Sequence, residues 1–175
     1  MKTMGDAAAR SRPAESPGPG VGQADRRREF ASRFGDLVRP WRGQISRHVK
    51  PLGLTFMQWT TLTQLSNLDA DVVQKDLALL VGIDGPTMVG VLDRLVEAEF
   101  VERRVAAHDR RANTVHLTAG GRDILRDADN QLEKLRDTLL EGLSDAELET
   151  CIRVFGRVAG RARQFESEPG ETPGP

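Results

Sequence analysis

The residues of this sequence best suited to chemistry are arginines, and two of them stand together in a short polar segment. Asp109, Arg110 and Arg111 follow one another inside a run that extends from His108 to Asn113. Asp and Asn favour turns, so we predict a turn here. Arginine guanidinium groups bind phosphate oxygens and are attracted into narrow minor grooves of DNA. The alternative interpretation is a solvated turn that contains an ordinary Asp–Arg ion pair.

Two stretches of alternating residues flank this turn. One runs from Val101 to Ala106, and the other runs from Thr114 to Leu117. Side chains that alternate between apolar and polar with a period of two are typical of half-buried β-strands. The sequence therefore predicts a β-hairpin with a basic tip.

An amphipathic helix is predicted just before the hairpin. Asp84 is suited to cap its N-terminus, and Pro86 fits its first turn, where a missing N–H costs nothing. The apolar stripe of the helix, at spacings of three and four residues, consists of Met88, Val91, Leu92 and Leu95. A short helix fits the major groove of DNA, and the hairpin tip then reaches the backbone or the adjacent minor groove.

The opposite face of this helix carries few side chains that form hydrogen bonds to base edges. Its residues are Gly85, Pro86, Val89, Gly90 and Asp93. We predict that the helix backbone approaches DNA closely and that Pro86 and Val89 contact thymine methyl groups. Much of the recognition is then expected to depend on DNA shape.

Phosphate contacts are expected beside this face. Thr87 and Arg94 flank it and are candidates to bind the DNA backbone. An ion pair of Arg94 with Glu97 or Glu99 is an equally good interpretation of that arginine.

The segment from Val91 to Leu125 resembles the winged helix-turn-helix of the MarR family of bacterial transcriptional regulators. The motifs that carry the resemblance are Asp109-Arg110-Arg111, Leu117-Thr118-x-x-Gly121 and, upstream, Leu92-x-x-Leu95. The order of elements matches the family from about residue 25 to residue 166. The resemblance implies a mainly α fold with a small β-hairpin, in which a winged helix-turn-helix is joined to N- and C-terminal dimerisation helices.

The resemblance also divides the chain into regions. Residues 1–24 and 167–175 are expected to be disordered tails, because they have few large apolar side chains. Residues 25–166 are expected to form the MarR-type domain. Within it, the two dimerisation regions and the winged helix-turn-helix are expected at residues 25–52, 118–166 and 54–117.

By this resemblance, Arg111 enters the minor groove, Asp109 braces its guanidinium group, and Arg110 lies toward the DNA backbone. Gln74 and Lys75 lie in the first turn of the preceding helix, where they are expected to hold a phosphate. Since one subunit makes few base contacts, we expect a symmetric dimer on an inverted repeat, with half-sites about one helical turn apart.

The predicted function is a sequence-specific repressor that binds a pseudo-palindromic operator as a homodimer and responds to a small aromatic or anionic effector. By resemblance, Trp41, His48 and Trp59 line the effector cleft, although aromatic residues at helical spacing more often pack in a core. The alternatives are a winged helix that binds only proteins and a redox sensor that uses Cys151. No cofactor or metal is expected.

Residues 25–49 are predicted to form a long helix. Its wide apolar stripe consists of Phe30, Phe34, Leu37, Trp41, Ile45 and Val49. Pro40 is expected to kink this helix or divide it near Arg39. By resemblance, the helix pairs with the C-terminal helices of a second subunit. The alternative is that it packs on its own chain.

Two helices are predicted between this one and Asp84, at residues 55–68 and 73–81. Thr55 caps the first, whereas the second starts at Val73, where the family usually has Thr or Ser. The residues expected to face the core are Phe56, Trp59, Leu62 and Leu65 in the first, and Leu77, Ala78 and Leu80 or Val81 in the second.

Two helices are predicted after the hairpin. Thr118 caps the first, which extends to about Glu141, and its apolar seam consists of Leu125, Ala128, Leu132, Leu135 and Leu139. Ser144 and Glu147 form a capping box for the second. The residues that the last helix is expected to bury are Leu148, Ile152, Phe155, Ala159 and Ala162.

Charge is distributed unevenly along the chain, although the formal net charge is only −1. Residues 101–126 contain six arginines and three acidic residues. Residues 127–150 contain eight acidic residues and two basic ones. A basic ribbon beside an acidic body directs one surface of the molecule toward phosphate.

Several classes of protein are disfavoured by the composition. The only cysteine, Cys151, is expected to be a buried, inert thiol beside the last apolar stripe. With three histidines and no nucleophile–base pair, the chain is not expected to be an enzyme. Neither a secretory signal nor an apolar run of about 20 residues is found, so a cytoplasmic location is expected.

Overall fold

The computed structural model of the protein describes residues 22–68, 72–105 and 113–167. Within these ranges the chain is mostly helical and has a small antiparallel sheet, which confirms the predicted fold class. The helices are α1 Gln23–Val49, α2 Phe56–Ser66, α3 Gln74–Val81, α4 Gly85–Glu97, α5 Ala119–Leu139 and α6 Asp145–Ser167. A short 3-10 helix, Lys50–Leu52, follows α1, and the strands are β1 Val72–Val73, β2 Val101–Val105 and β3 Asn113–Leu117.

The sheet has one strand more than the sequence predicted. Its order is β1-β3-β2, and both pairs are antiparallel. In the hairpin Arg103 lies opposite Val115, which on its other side pairs with Val72 of β1. The prediction that α3 starts at Val73 is therefore wrong, because Val73 pairs with the hairpin and α3 begins at Gln74. Val73 occupies the N-cap without a side-chain hydrogen bond.

The core of the protein lies where α2, α3, α4 and α5 meet the sheet. Its fully buried apolar residues are Val49, Leu62, Leu77, Met88, Leu92, Leu95 and Ala128. The sheet adds Val101 and Val115, each 2% exposed. Of the predicted inward residues, Phe56, Trp59 and Val81 are only half-buried and Leu80 is exposed. Non-directional apolar burial of this kind is the main stabilising contribution to a small domain.

Side-chain caps fix where the helices begin. Thr55 and Gln58 form a reciprocal capping box at α2, and Thr118 accepts a hydrogen bond from the N–H of Gly121 at α5. At α6, the Glu147 carboxylate accepts hydrogen bonds from both the backbone N–H and the hydroxyl group of Ser144. These two bonds lower the pKa of Glu147, the hydroxyl contributing more. These local signals were all visible in the sequence.

The turn between α4 and β2 is hydrogen-bonded to, and closely packed against, the start of α5. Glu99 adopts a left-handed conformation with φ 58°, and its carbonyl accepts a 2.7 Å hydrogen bond from the Thr118 hydroxyl group. A Cβ on Gly121 would lie 2.0 Å from the carbonyl oxygen of Phe100. Only glycine therefore fits at position 121, and this contact holds α5 against the base of the hairpin.

Helix α1 continues through Pro40 without a break, so the predicted division near Arg39 does not occur. Of the two compact units into which the chain divides, the first ends at Gly43 and the second begins at Gln44. In the first unit, Phe30 and Leu37 are 43% and 48% exposed.

The prediction that α6 buries an apolar face is wrong for the single chain. No described residue of α6 is buried, and Ile152 and Phe165 are 69% and 78% exposed. The apolar seam of α5 is buried at Leu125 and Leu132, but Leu139 near its end is 42% exposed. The apolar residues of α6 have the predicted helical spacing, but no described residue of this chain buries them.

None of the described helices combines the length and the apolar character needed to cross a membrane.

Candidate nucleic-acid interface

The N-terminus of α4 is organised by Asp84. One carboxylate oxygen accepts a 2.8 Å hydrogen bond from the backbone N–H of Thr87, and the other accepts a 2.9 Å bond from the Thr87 hydroxyl group. The backbone bond contributes most to lowering the pKa of Asp84 below its ordinary value of 3.8, and the hydroxyl bond adds to it. Because its proton is already donated to Asp84, the Thr87 hydroxyl is available to DNA mainly as an acceptor.

The outward face of α4 is open. Gly85, Pro86, Val89 and Gly90 are all exposed, and Val89 has 41% of its surface accessible. A Cβ built on Gly85 or Gly90 would meet no atom within 4 Å. Packing within the chain therefore does not require a glycine at either position.

Asp93, which the sequence placed on the same face, is held by the hairpin. Its Oδ1 atom lies 2.7 Å from the NH1 atom of Arg103 on β2. This ion pair was not predicted from the sequence, because the two residues are ten positions apart and Arg103 had no predicted role beyond strand alternation. The available signal was strand alternation, which puts Arg103 on the same face of β2 as the buried Val101.

Two cations beside the open face lack acidic partners within the described part of the chain. Arg94 is exposed and makes neither of the predicted alternative pairs, with Glu97 or Glu99. Lys75 is exposed in the first turn of α3, and the preceding residue, Gln74, is half-buried. The structure therefore leaves both cations accessible to a phosphate.

The two strands of the hairpin stay paired as far as Val105 and Asn113. On the outer side of β2, Arg104 forms an ion pair with Glu102. The predicted tip residues, Asp109, Arg110 and Arg111, lie outside the described residues.

The three aromatic residues assigned to an effector cleft are all half-buried. The Nδ1 atom of His48 lies 2.8 Å from the carbonyl oxygen of Gln44 on the same helix, so Nδ1 is the donor in this hydrogen bond. Trp59 packs on Phe56 with ring centroids 5.8 Å apart. Its indole N–H is buried and has no hydrogen-bond partner among the described residues. Trp41 belongs to the first compact unit, whereas His48 and Trp59 belong to the second.

The expectation that Cys151 is buried is wrong, since its side chain is exposed in the single chain. Its neighbours in the apolar stripe of α6, Ile152 and Phe155, are exposed as well. Among the described residues, no group of three or more His, Cys, Asp or Glu side chains is arranged to hold a metal ion.

Comparison with known proteins gives a consistent result. Residues 52–112 match the model of the MarR family. The crystal structure of transcriptional regulator PA3341 is similar at 29% sequence identity and a TM-score of 0.69, covering 77% of this chain and 98% of that one. Wild-type MarR from E. coli is similar at 25% identity and a TM-score of 0.61, covering 73% and 94%. A point mutant of S. aureus MepR bound to an oligodeoxyribonucleotide shares the fold at 22% identity and a TM-score of 0.52, covering 76% and 97%.

Proposed function

Because this chain is a MarR-family transcriptional regulator whose winged segment matches the family at residues 52–112, we propose that it binds a specific DNA operator as a homodimer. Helix α4 enters the major groove, and the β2–β3 hairpin, the wing, reaches the adjacent minor groove. The DNA-bound MepR mutant, which shares the fold, supports this choice of partner.

The observation that carries the proposal is the open face of α4. Glycine in the middle of a helix is less stable than alanine by roughly 0.5–1 kcal/mol, yet Gly90 occurs there with no neighbour that excludes a side chain. The cost is explained if another molecule approaches the backbone at this place. Gly85 and Gly90 then allow α4 deep into the groove, and Pro86 and Val89 contact thymine methyl groups.

Phosphate contacts surround this face in the proposal. Lys75 and Arg94 supply cations, and Gln74 contributes a polar contact at the N-terminus of α3. Thr87, the other predicted phosphate contact, donates both its N–H and its hydroxyl proton to Asp84 and so lies beside the phosphates without donating to them. Phosphate contacts fix the position of the protein on the duplex but carry no sequence information.

The wing completes each half-site. We assign Arg111 to the minor groove, Asp109 to bracing its guanidinium group, and Arg110 to the DNA backbone. The described strands are paired up to Val105 and Asn113, the residues that flank this segment in the sequence. A narrow A·T-rich minor groove attracts arginine most strongly, so part of the specificity comes from DNA shape.

A second copy of the chain is the partner that the apolar surface requires. Ile152, Val158 and Phe165 of α6 are 69%, 48% and 78% exposed, and an apolar stripe of this size is rarely left in water. Covering it with the same surface of a second chain gives a two-fold dimer. Two copies then bind an inverted repeat with half-sites about one helical turn apart.

We also propose that the protein is a repressor and that a small aromatic or anionic effector releases it from DNA. The buried indole N–H of Trp59, which has no described partner, supports this part of the proposal, since buried donors are normally satisfied. Trp41 and His48 are the further candidates for the effector site. A thermal-shift screen of aromatic acids, followed by DNA binding with each hit, tests the assignment, and wild-type affinity with every stabilising ligand would refute it.

DNA binding itself is tested by fluorescence anisotropy on duplexes from the promoter region of the gene, titrated at several salt concentrations. With about three cationic phosphate contacts per subunit, the logarithm of affinity should fall with the logarithm of salt at a slope of about −5. A winged helix that binds only proteins would show no specific duplex and no steep slope.

A further inference from the structure

The contacts between β2 and α4 change along the strand from apolar packing to an ion pair. Val101, at the base of the strand, is buried in the core, and Val105, at its end, is 63% exposed. Arg103 lies between them on the same face of the strand. Along β2 apolar packing therefore ends at Val101, although Val115 of β3, opposite Arg103, is still buried. The next β2 side chain with a described contact to α4 is Arg103.

Arg103 makes that contact through charge. Its NH1 atom lies 2.7 Å from Oδ1 of Asp93, and its side chain is 29% exposed while that of Asp93 is 56% exposed. Its Nε atom is buried and has no hydrogen-bond partner among the described residues. The guanidinium group is thus partly removed from water, and Asp93 is the only acidic residue of the described chain that is paired with it. A desolvated cation with one counter-ion is restricted in orientation far more than a surface arginine.

We propose that Asp93 and Arg103 are positioning residues that fix the angle of the wing against α4, and through it the register between the major-groove and minor-groove contacts. This inference rests on the proposed DNA-binding function. Strand β1 pairs with β3 only as far as Thr114, which lies opposite Arg104, so beyond this point the wing is a two-stranded hairpin, which alone is marginally stable in water. Without the Asp93–Arg103 pair, the described contacts hold β2 to α4 only up to Val101, and the angle between the wing and α4 is less restricted. Asp93 then acts through Arg103 and does not contact bases.

The test measures two quantities for each variant: its affinity for the operator, and the factor by which that affinity changes when the base pairs under the wing are replaced. Two duplexes are used, the operator and the same operator with its flanking A·T pairs replaced by G·C. For the wild type, we expect the replacement to lower affinity about fivefold or more, as for one poor base pair. In Asp93→Asn and in Arg103→Gln, we expect operator affinity to fall on the order of tenfold and the ratio between the two duplexes to approach one. The unfolding temperature should change little, because Asp93 is 56% exposed and an ion pair with a solvent-exposed partner contributes little to stability.

Two further variants separate positioning from charge. Arg104→Gln removes the same charge from the same strand, and it should weaken binding to both duplexes equally and leave their ratio unchanged. The exchanged pair, Asp93→Arg with Arg103→Asp, should restore part of the ratio. A wild-type ratio in both single variants would overturn the inference.

Failure of the inference is distinguishable from failure of the proposed function. If the wild type binds no DNA, the function fails, and hydrogen exchange of the free protein then tests the pair by itself. In Arg103→Gln, we expect faster exchange at the amides of β2 and β3 beyond Arg103, with unchanged exchange in α4. Unchanged exchange in the strands would overturn the inference without any DNA present.

Discussion

The winged region, residues 54–117, and helix α6 both have helices with an apolar stripe, but the stripe is buried in the winged region and exposed on α6. Leu77, Met88 and Leu92 of the winged region are fully buried, whereas Ile152 and Phe165 of α6 are mostly exposed. Amphipathic helices gain most of their stability from packing their apolar face. The winged region is therefore packed within one chain, whereas no described residue covers the apolar stripe of α6.

This difference separates two tasks. Leu95 at the back of α4 is fully buried, while Val89 and Gly90 on its front remain open. Helix α4 is thus held in place by its buried face while its opposite face is accessible, which is the arrangement that the proposed DNA contact needs. Since the proposal assigns dimerisation to α6 and DNA binding to α4 and the wing, changes in the two regions should have separable effects on folding, dimerisation and binding.

The largest effect is expected from truncating the core of α4. Leu92→Ala should lower the free energy of unfolding by about 2–5 kcal/mol, because it removes apolar contacts and leaves a cavity. Leu79→Ala makes the same truncation at a residue that is 61% exposed, and it should change stability by only about 0.5 kcal/mol. Urea unfolding measures both, and equal effects would mean that the winged region is not packed as described.

A charge on the α6 stripe is expected to separate the subunits without unfolding them. Ile152→Asp should shift sedimentation equilibrium toward the monomer and lower operator affinity about a hundredfold or more through loss of bivalent binding. Leu79→Asp places the same charge on an equally exposed leucine of α3 and should leave the dimer intact. If Ile152→Asp stays dimeric, the α6 stripe is not the subunit interface.

A methyl group on the open face of α4 should raise the stability of the protein and lower its affinity for DNA. Gly90→Ala is expected to stabilise the protein by about 0.5–1 kcal/mol and to lower operator affinity about tenfold, the scale of one mismatched base pair. Gly43→Ala on α1, where a Cβ also meets open space, should stabilise similarly without the loss of affinity. Unchanged DNA binding by Gly90→Ala would remove the argument for close backbone approach.

The smallest effect concerns the cap of α4. Since hydrogen bonds from Thr87 lower the pKa of Asp84 from 3.8, the cap stabilises the protein fully above pH 3.8. The contribution is lost as pH falls through the lowered pKa of the folded state. Asp84→Asn keeps a capping oxygen that does not titrate. In thermal unfolding between pH 6 and pH 2, the wild type should lose stability relative to this variant below about pH 4. A difference that stays constant with pH would contradict this assignment.

Local signals made most of the winged region predictable from the sequence. Asp84, Thr55 and Thr118 cap the helices where their side-chain chemistry indicated, since a cap depends only on neighbours three residues away. The stripe of Met88, Leu92 and Leu95 is buried because it follows the helical period.

Contacts between distant residues were not predictable in the same way. Strand β1 has only two residues, too few to show a period, and it exists because Val72 pairs with Val115. The Asp93–Arg103 pair likewise depends on how the strand and the helix pack. The burial assigned to α6 was wrong because periodicity shows that a face is apolar but does not show which molecule covers it.

The most direct test of the account is selection of bound sequences from a pool of random duplex DNA by the full-length protein. If two copies each present α4 and a wing, the expected result is an inverted repeat with half-site centres about 10 base pairs apart and A·T-rich positions beneath the wings. Enrichment of a single asymmetric half-site, or no enrichment at all, would contradict it.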